Sequence, residues 1–267
     1  MANNEGEELV QKVSRIVEDV VRRAVQRQCE EATALEDPFL ARLLSDERFV
    51  QSTRFERSLR SSLGSAGYEE IARVVAEHAG ARAKRQAHWE WRVTQGQRRA
   101  IDELLERRGS KENPLNWERE LEFLERQSRQ GPGEKVTATV DLELIRDDRH
   151  LLFFMKTVKP NLDQTREAKR QMLYAWAHWF NTGEPRHLET YFALAYNPFG
   201  EGEEYTWRYP WRYFDMHKAP VLIGRAFWDL LGGGGTYELV LRGFELAGER
   251  CRDLIEQFFG RSRNRGG

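Results

Sequence analysis

The chain has 267 residues, 40% hydrophobic and 32% charged, with a formal net charge of −1. That length can bury a real core as one cooperative unit, and the balance of residue types excludes disorder and a uniformly basic coat for nucleic acid. A near-neutral chain can still hold an electropositive cleft, because the field depends on where charges sit rather than on their sum.

Cys29 and Cys251 are far apart with no CxxC spacing, which argues against a zinc cluster or a disulfide framework and suits a reducing compartment. The opening MANNEGEELVQKV lacks the basic and apolar regions of a signal peptide, and no apolar run reaches membrane-spanning length. A soluble, cytoplasmic protein is expected.

Residues 6 to 32 place Leu9, Val13, Ile16, Val17 and Val20 at helical spacing. A turn is expected at Asp37-Pro38-Phe39-Leu40, then helices around Phe55–Leu59, ending near Gly64, and over Tyr68–Ala76. The stretch from Ala79 to Gln130 is dense in charge, with Ile101, Leu104, Leu105, Leu121 and Leu124 as anchors, and reads as helical and largely solvated. Glycine and proline at 130 to 133 mark a change of pattern. Strands are expected at Val136–Ile145 and His150–Val158, joined by a tight turn at Arg146-Asp147-Asp148-Arg149. A helix over Asp163–Phe180, capped by Asn161 or Asp163, precedes a strand at Thr190–Tyr196. An aromatic loop (197 to 214), a short apolar run (220 to 223), a glycine turn at 232 to 235 and a helix over Tyr237–Phe259 follow. The tail from Arg261 should fray. The chain divides into a mainly helical part, residues 1 to 130, and an α/β part, residues 131 to 260, within one domain.

The hairpin carries the chemistry. A turn centred between Asp147 and Asp148 sets Asp141 opposite Phe154 and Thr139 opposite Lys156. Alternation then puts Asp141, Glu143, Leu152, Phe154 and Lys156 on one face, with Val140, Leu142 and Phe153 on the other. Two carboxylates beside a lysine suit phosphodiester hydrolysis: hard oxygens hold Mg²⁺, and an ammonium orients water or phosphate. The plain alternative for the charged face is the solvated side of a sheet, with Lys156 snorkelling at a strand end.

The run Phe153 to Asn161, preceded by Asp141, resembles the active-site hairpin of PD-(D/E)xK endonucleases, and more narrowly it is similar to type II restriction enzymes of the TdeIII kind. The likeness extends to Phe55-Glu56-Arg57-Ser58-Leu59 with Leu63-Gly64, to Asp163-Gln164-Thr165 with Glu167-Ala168-Lys169-Arg170, to Tyr196-Asn197-Pro198, and to Phe227-Trp228 through Tyr237. It implies a restriction-endonuclease-like α/β core, a mixed sheet flanked by helices, with helical N-terminal and inserted segments. It also implies Mg²⁺ as cofactor, double-stranded DNA as substrate and a homodimer. The family pattern wants an acid two residues before the lysine, and that position is Phe154. Glu167 on the following helix is the preferred replacement, with Glu143 in reserve. Glu56 and Glu70 are outside candidates for a further metal ligand. A degenerate site that binds without cutting is the remaining reading.

Phosphate contacts could come from Lys159, Arg166, Lys169 and Arg170. Arg208 and Arg212, in the aromatic loop, could read guanines, and the resemblance implies a GGNCC-type site, although a loop this rich in Trp and Tyr more often covers a core edge. A structure-specific nuclease or a non-catalytic DNA-binding protein of the same fold competes with the restriction-enzyme reading. No GxSxG, HExxH, P-loop or dinucleotide motif is present.

Overall fold

A computed structural model describes residues 2–30, 47–127 and 133–261. The turn expected at residues 37 to 40, the glycine-proline punctuation at 130 to 132 and the tail after Arg261 lie outside the described residues. Two compact units emerge: residues 1–74 with 237–267, and residues 75–236.

The first unit is helical. It comprises α1 (Ala2–Glu30), α2 (Glu47–Ser62), a π-helical turn (Leu63–Gly67), most of α3 (Tyr68–His78) and the last helix of the chain, α8 (Thr236–Arg261). The stripe of α1 buries Val13, Val17 and Val20 as its spacing requires. Gly243 of α8 lets that helix approach closely: a Cβ there would lie 2.5 Å from Val13 Cγ1. Arg250 of α8 pairs with Glu18 at 3.0 Å, and Phe55 of α2 packs against Phe258 with ring centroids 5.5 Å apart. Both cysteines fall in helices, Cys29 in α1 and Cys251 in α8.

The second unit is α/β. It runs β1 (Arg82–Thr94), α4 (Gln95–Glu106), α5 (Trp117–Glu125), β2 (Gly133–Arg146), β3 (Arg149–Lys156), α6 (Leu162–Thr182), β4 (His187–Leu194), β5 (Val221–Ile223) and α7 (Arg225–Gly232). The described strands form one mixed sheet in the order β1-β2-β3-β4-β5. β1, β2 and β3 are antiparallel neighbours, whereas β4 and β5 continue parallel to β3. This is the restriction-endonuclease-like α/β architecture expected from the sequence.

One expectation fails. Residues 79 to 130 are not wholly helical and solvated, because β1 forms a 13-residue strand paired along β2. Its Arg, Lys, His and Glu side chains point outward at every second position, and their charge hides a period-two pattern whose inward members include Ala87, Trp91 and Val93. Ile101, Leu104, Leu105 and Leu124 of α4 and α5 are fully buried rather than thinly anchored.

β3 is buried on both faces from His150 to Phe154, the pattern of a strand in the middle of a covered sheet. Its parallel partner β4 requires a long crossover, which α6 supplies. Asn161 caps α6 in a reciprocal capping box with Gln164, and Gly183 ends it in the left-handed conformation, φ 63°.

At the turn end of β3, Arg149 forks onto Glu189 of β4 with contacts of 2.6 and 2.7 Å, and the Tyr191 hydroxyl donates to the same carboxylate. The Arg149 hydrogen bonds hold Glu189 below its ordinary value of 4.5 against the opposing effect of burial. A carboxyl with a depressed folded pKa stabilises the fold above its unfolded pKa and loses that contribution as pH falls through the folded value. Glu189→Gln is therefore expected to lower the urea midpoint at pH 7 and to flatten the loss of stability below about pH 4.5, measured by urea unfolding from pH 7 to pH 3. An unchanged acid limb would count against this pair.

Candidate active site

β2 and β3 pair in the register set by the Asp147-Asp148 turn, with Leu142 opposite Phe153 and Glu143 opposite Leu152. Lys156, the last residue of β3, donates from Nζ to Asp141 Oδ2 at 3.0 Å and to the Met155 carbonyl at 3.0 Å. The two side chains are only 20% and 18% exposed, so neither is a solvated surface charge. Phe154 is wholly buried in the core with Leu152, Phe192 and residues of α6. The face that might have been a solvated side of the sheet is thus covered, except where Asp141 and Lys156 meet.

The β1–β2 ladder breaks beside Asp141. Arg85 pairs with Leu142 and Ala87 with Val140, but the rung between them, Gln86 opposite Asp141, is skipped. Gln86 there has φ 48°, a left-handed conformation unusual for a residue with a side chain. Beyond the break the ribbon bends. Trp89 pairs with Ala138, and His150 pairs with Ile145; in a straight ribbon those rungs would lie about 23 Å apart at ~3.3 Å per residue. The Trp89 and His150 rings are nevertheless 5.5 Å apart. Val140 accordingly packs in the core of Leu152 and Phe154, not on the opposite face with Leu142 and Phe153 as strict alternation would have it. Asp141 sits at the corner.

The other predicted acids are engaged elsewhere. Glu143 is 14% exposed and shares a 2.7 Å hydrogen bond with His150 Nε2, whose ring packs edge-on to Trp179. Glu167 of α6 is 47% exposed, pairs with Arg170 at 2.5 Å and accepts from Gln171 at 3.3 Å. Glu56 belongs to the helical unit, where it pairs with Arg60 at 2.7 Å; Glu70 of that unit pairs with Arg73 at 2.6 Å. Among the described residues no three His, Cys, Asp or Glu side chains gather as a ready metal cluster. A Mg²⁺ site does not require one, since Mg²⁺ usually keeps several waters and takes one or two carboxylates plus substrate phosphates. Asp141 fits that donor set.

The basic candidates divide. Lys169 is a correction: it is fully buried, donating to Glu120 Oε1 at 2.7 Å and to the Tyr213 carbonyl at 2.8 Å, and cannot touch DNA. Burial pushes the Lys169 ammonium down and the Glu120 carboxyl up, and their mutual attraction opposes both shifts. Its place on the buried side of α6, beside Thr165 and Ala168, follows from the helical period of the sequence. Arg166 pairs with Glu106 at 2.6 Å. Arg208 and Arg212 are exposed, with Arg208 lying over the Tyr209 ring. Their loop also covers a core edge, with Tyr205, Trp211, Tyr213 and Phe214 buried. It grips the segment after Lys156: Tyr205 donates to the Val158 carbonyl at 2.9 Å and Trp207 Nε1 to the Pro160 carbonyl at 2.7 Å. Lys159 is exposed and lies over the Phe199 and Trp207 rings at 5.1 and 5.8 Å.

Sequence reasoning missed Gln86 and His150. The hairpin register already set His150 diagonal to Glu143, so that contact was recoverable. Gln86 carried no signal, because left-handed residues are sought among Gly and Asn.

Comparison with known proteins fits this arrangement. A family model described as type II restriction endonuclease, HinfI, matches residues 3–248. The chain belongs to the HinfI family of type II restriction endonucleases. It is 34% identical over 209 residues to the type II restriction enzyme HgiCII of Herpetosiphon aurantiacus, covering 76% of this chain and 74% of that protein. It is 33% identical over 208 residues to HgiEI of the same organism, with the same coverage. With MjaII of Methanocaldococcus jannaschii it shares 24% over 200 residues, 70% of this chain and 52% of that one. The type II reading of the sequence holds at the level of the HinfI family.

Breaking a buried ion pair from one side costs about 3–5 kcal/mol, whereas replacing both partners with apolar residues is often neutral. Glu120→Ala is expected to lower stability on that scale, Glu120→Leu with Lys169→Met to recover most of it, and the double variant to bind DNA as tightly as the parent. Weakened DNA binding by the folded double variant would restore Lys169 as a DNA contact.

Proposed function

We propose that the chain is a sequence-specific, Mg²⁺-dependent endonuclease that hydrolyses phosphodiester bonds of double-stranded DNA through Asp141 and Lys156. The observation that carries this reading is the 3.0 Å contact between Lys156 Nζ and Asp141 Oδ2 at the bent corner of the β1–β2 ribbon. Bound Mg²⁺ would supply Lewis-acid polarisation of the phosphate and a more acidic water. Asp141 would hold the cation through carboxylate oxygen, and Lys156 would donate to a phosphate oxygen or orient the attacking water while its charge offsets the charge developing on the phosphoryl group. The side chains of Lys156 and Asp141 are only 20% and 18% exposed, and this partial withdrawal from water strengthens both interactions.

For the second carboxylate we propose Glu167. Its half-exposed side chain is held only by neighbours on its own helix and can re-aim, whereas Glu143 would have to give up a nearly buried bond to His150. The exposed Lys159, Arg208 and Arg212 are proposed DNA contacts, with the two arginines reading guanines of a GGNCC-like site. Arg166 and Arg170 would join them once phosphate competes for their glutamate partners. A homodimer would present two such centres to the two strands of a near-palindromic target. Among the described residues no helix is long and apolar enough to cross a membrane, which agrees with a proposed cytoplasmic site of action.

Unmethylated phage DNA incubated with the protein should yield discrete fragments with Mg²⁺ and none with EDTA, with sequenced ends defining the target. Asp141→Asn and Lys156→Ala should each lower cleavage at least about a hundredfold while the protein still binds DNA. Glu167→Ala should do the same, and Glu143→Ala should fall less. The reverse order would move the second ligand to Glu143. Mg²⁺-independent binding without cutting by the folded parent would favour a non-catalytic DNA-binding protein, for which the buried phenylalanine at 154 is the supporting observation.

A further inference from the structure

We infer that Gln86 is a positioning residue for the Asp141–Lys156 centre, acting through its left-handed backbone, and this rests on the function proposed above. Three observations converge on it. The β1–β2 ladder is continuous on both sides of one skipped rung, and that rung is Gln86 opposite Asp141. Gln86 is one of two non-glycine residues among those described with positive φ. The other, Asp147, lies in the hairpin turn, where such a conformation is ordinary. The ribbon then departs from straightness by enough to bring Trp89 onto His150.

The physical consequence is local. An unbroken antiparallel ladder would keep Asp141 in the plane of the ribbon, with its backbone tied to β1 and its side chain committed by alternation. A left-handed residue on one strand breaks the pairing and bends it, as a bulge does when it re-aims a side chain next to an active site. Asp141 lies one residue beyond the last β2–β3 rung, Leu142 opposite Phe153, so the skipped β1 rung leaves it outside both ladders, and its carboxylate meets Lys156. The bend is fixed at its far end: Arg92 donates its backbone N–H to His178 Nδ1 at 3.1 Å, and Asn181 donates to the Arg92 carbonyl at 3.0 Å, so the folded-over half of β1 is bolted to α6. Strain confined to one residue and held by the surrounding packing is the usual condition of a backbone outlier beside a functional group. The Gln86 side chain is exposed but Gln86 makes an interaction of its own, so the Gly variant serves as the control for loss of the side chain.

The test is a series at one position. Gln86→Gly and Gln86→Asn tolerate positive φ, whereas the β-branched Gln86→Val resists it. With Mg²⁺ and a cognate duplex, Gly and Asn are expected to keep kcat within about threefold of the parent. Val is expected to lower kcat at least thirtyfold with KM within threefold, because the reacting groups rather than the DNA surface are displaced. Hydrogen exchange, read on the same proteins, should show slower exchange of the Gln86 and Asp141 amides in Val as the skipped rung closes. Unchanged kcat in folded Val, or equal loss in Gly and Val, overturns the backbone role; equal loss would assign the effect to the glutamine side chain. If the parent cuts no DNA, the function proposed above fails instead, and exchange alone then decides whether Gln86 sets the bend.

Discussion

A β-ribbon that must leave the plane of its sheet has to give up ladder hydrogen bonds somewhere, and in this protein it does so beside Asp141. The second unit depends on that concession. On the turn side, β2 is a regular strand between β1 and β3; on the other side, the same two strands fold back over α6 and help close the core that contains Phe154 and Val140. The residue at the corner gains what a mid-strand residue lacks: release from the ladder on the β1 side and a lysine at the end of the adjacent strand. The single skipped rung is offset by the burial of Trp91, Val93 and Ala87 in the folded-over half, each worth on the order of 1–3 kcal/mol for the larger side chains.

The distribution of charge follows a similar logic. A near-neutral chain with 42 basic and 43 acidic residues can present a basic surface only by spending acids elsewhere. Several of its glutamates are tied to arginines along single helices, such as Glu103 with Arg107 and Glu122 with Arg126, pairs that contribute little to stability individually. Lys169 is withdrawn from the surface into a buried pair with Glu120 that joins α6 to α5 and to the loop carrying Tyr213. Exposed arginines remain on the aromatic loop, whose Tyr205 and Trp207 fasten it to the segment just after Lys156. The proposed DNA-reading arginines and the proposed catalytic lysine therefore belong to one braced piece of structure.

Phe154 sets the character of the centre. A carboxylate there would share a face with Asp141 and Lys156 at the cost of a charge in a sealed apolar core, which is prohibitive without a partner. The phenylalanine instead completes the packing with Phe192 and Leu152, so any metal proposed at this centre would draw on Asp141 and an acid other than residue 154. Membership of the HinfI family is consistent with a cleaving enzyme built around that arrangement.

Much of this was legible in the residues. The Asp147-Asp148 turn fixed the hairpin register from Arg146 opposite Arg149 to Leu142 opposite Phe153, because pairing across a two-residue turn is a local geometric matter, and it placed Asp141 and Lys156 near each other although the rungs expected at Asp141 and Thr139 do not form. Asn161, Gln164 and the apolar spacing after them defined α6 for the same reason. β1 was not legible, since its inward residues are separated by long charged side chains that mimic a solvated helix. Nor was the fate of Lys169, since a lysine is placed in a core only by a partner from a distant element. The bend at Gln86 was hidden most completely. Local sequence states what a backbone prefers, and a glutamine prefers negative φ; only the packing of the far half of the ribbon on α6 makes the less favoured conformation the stable one.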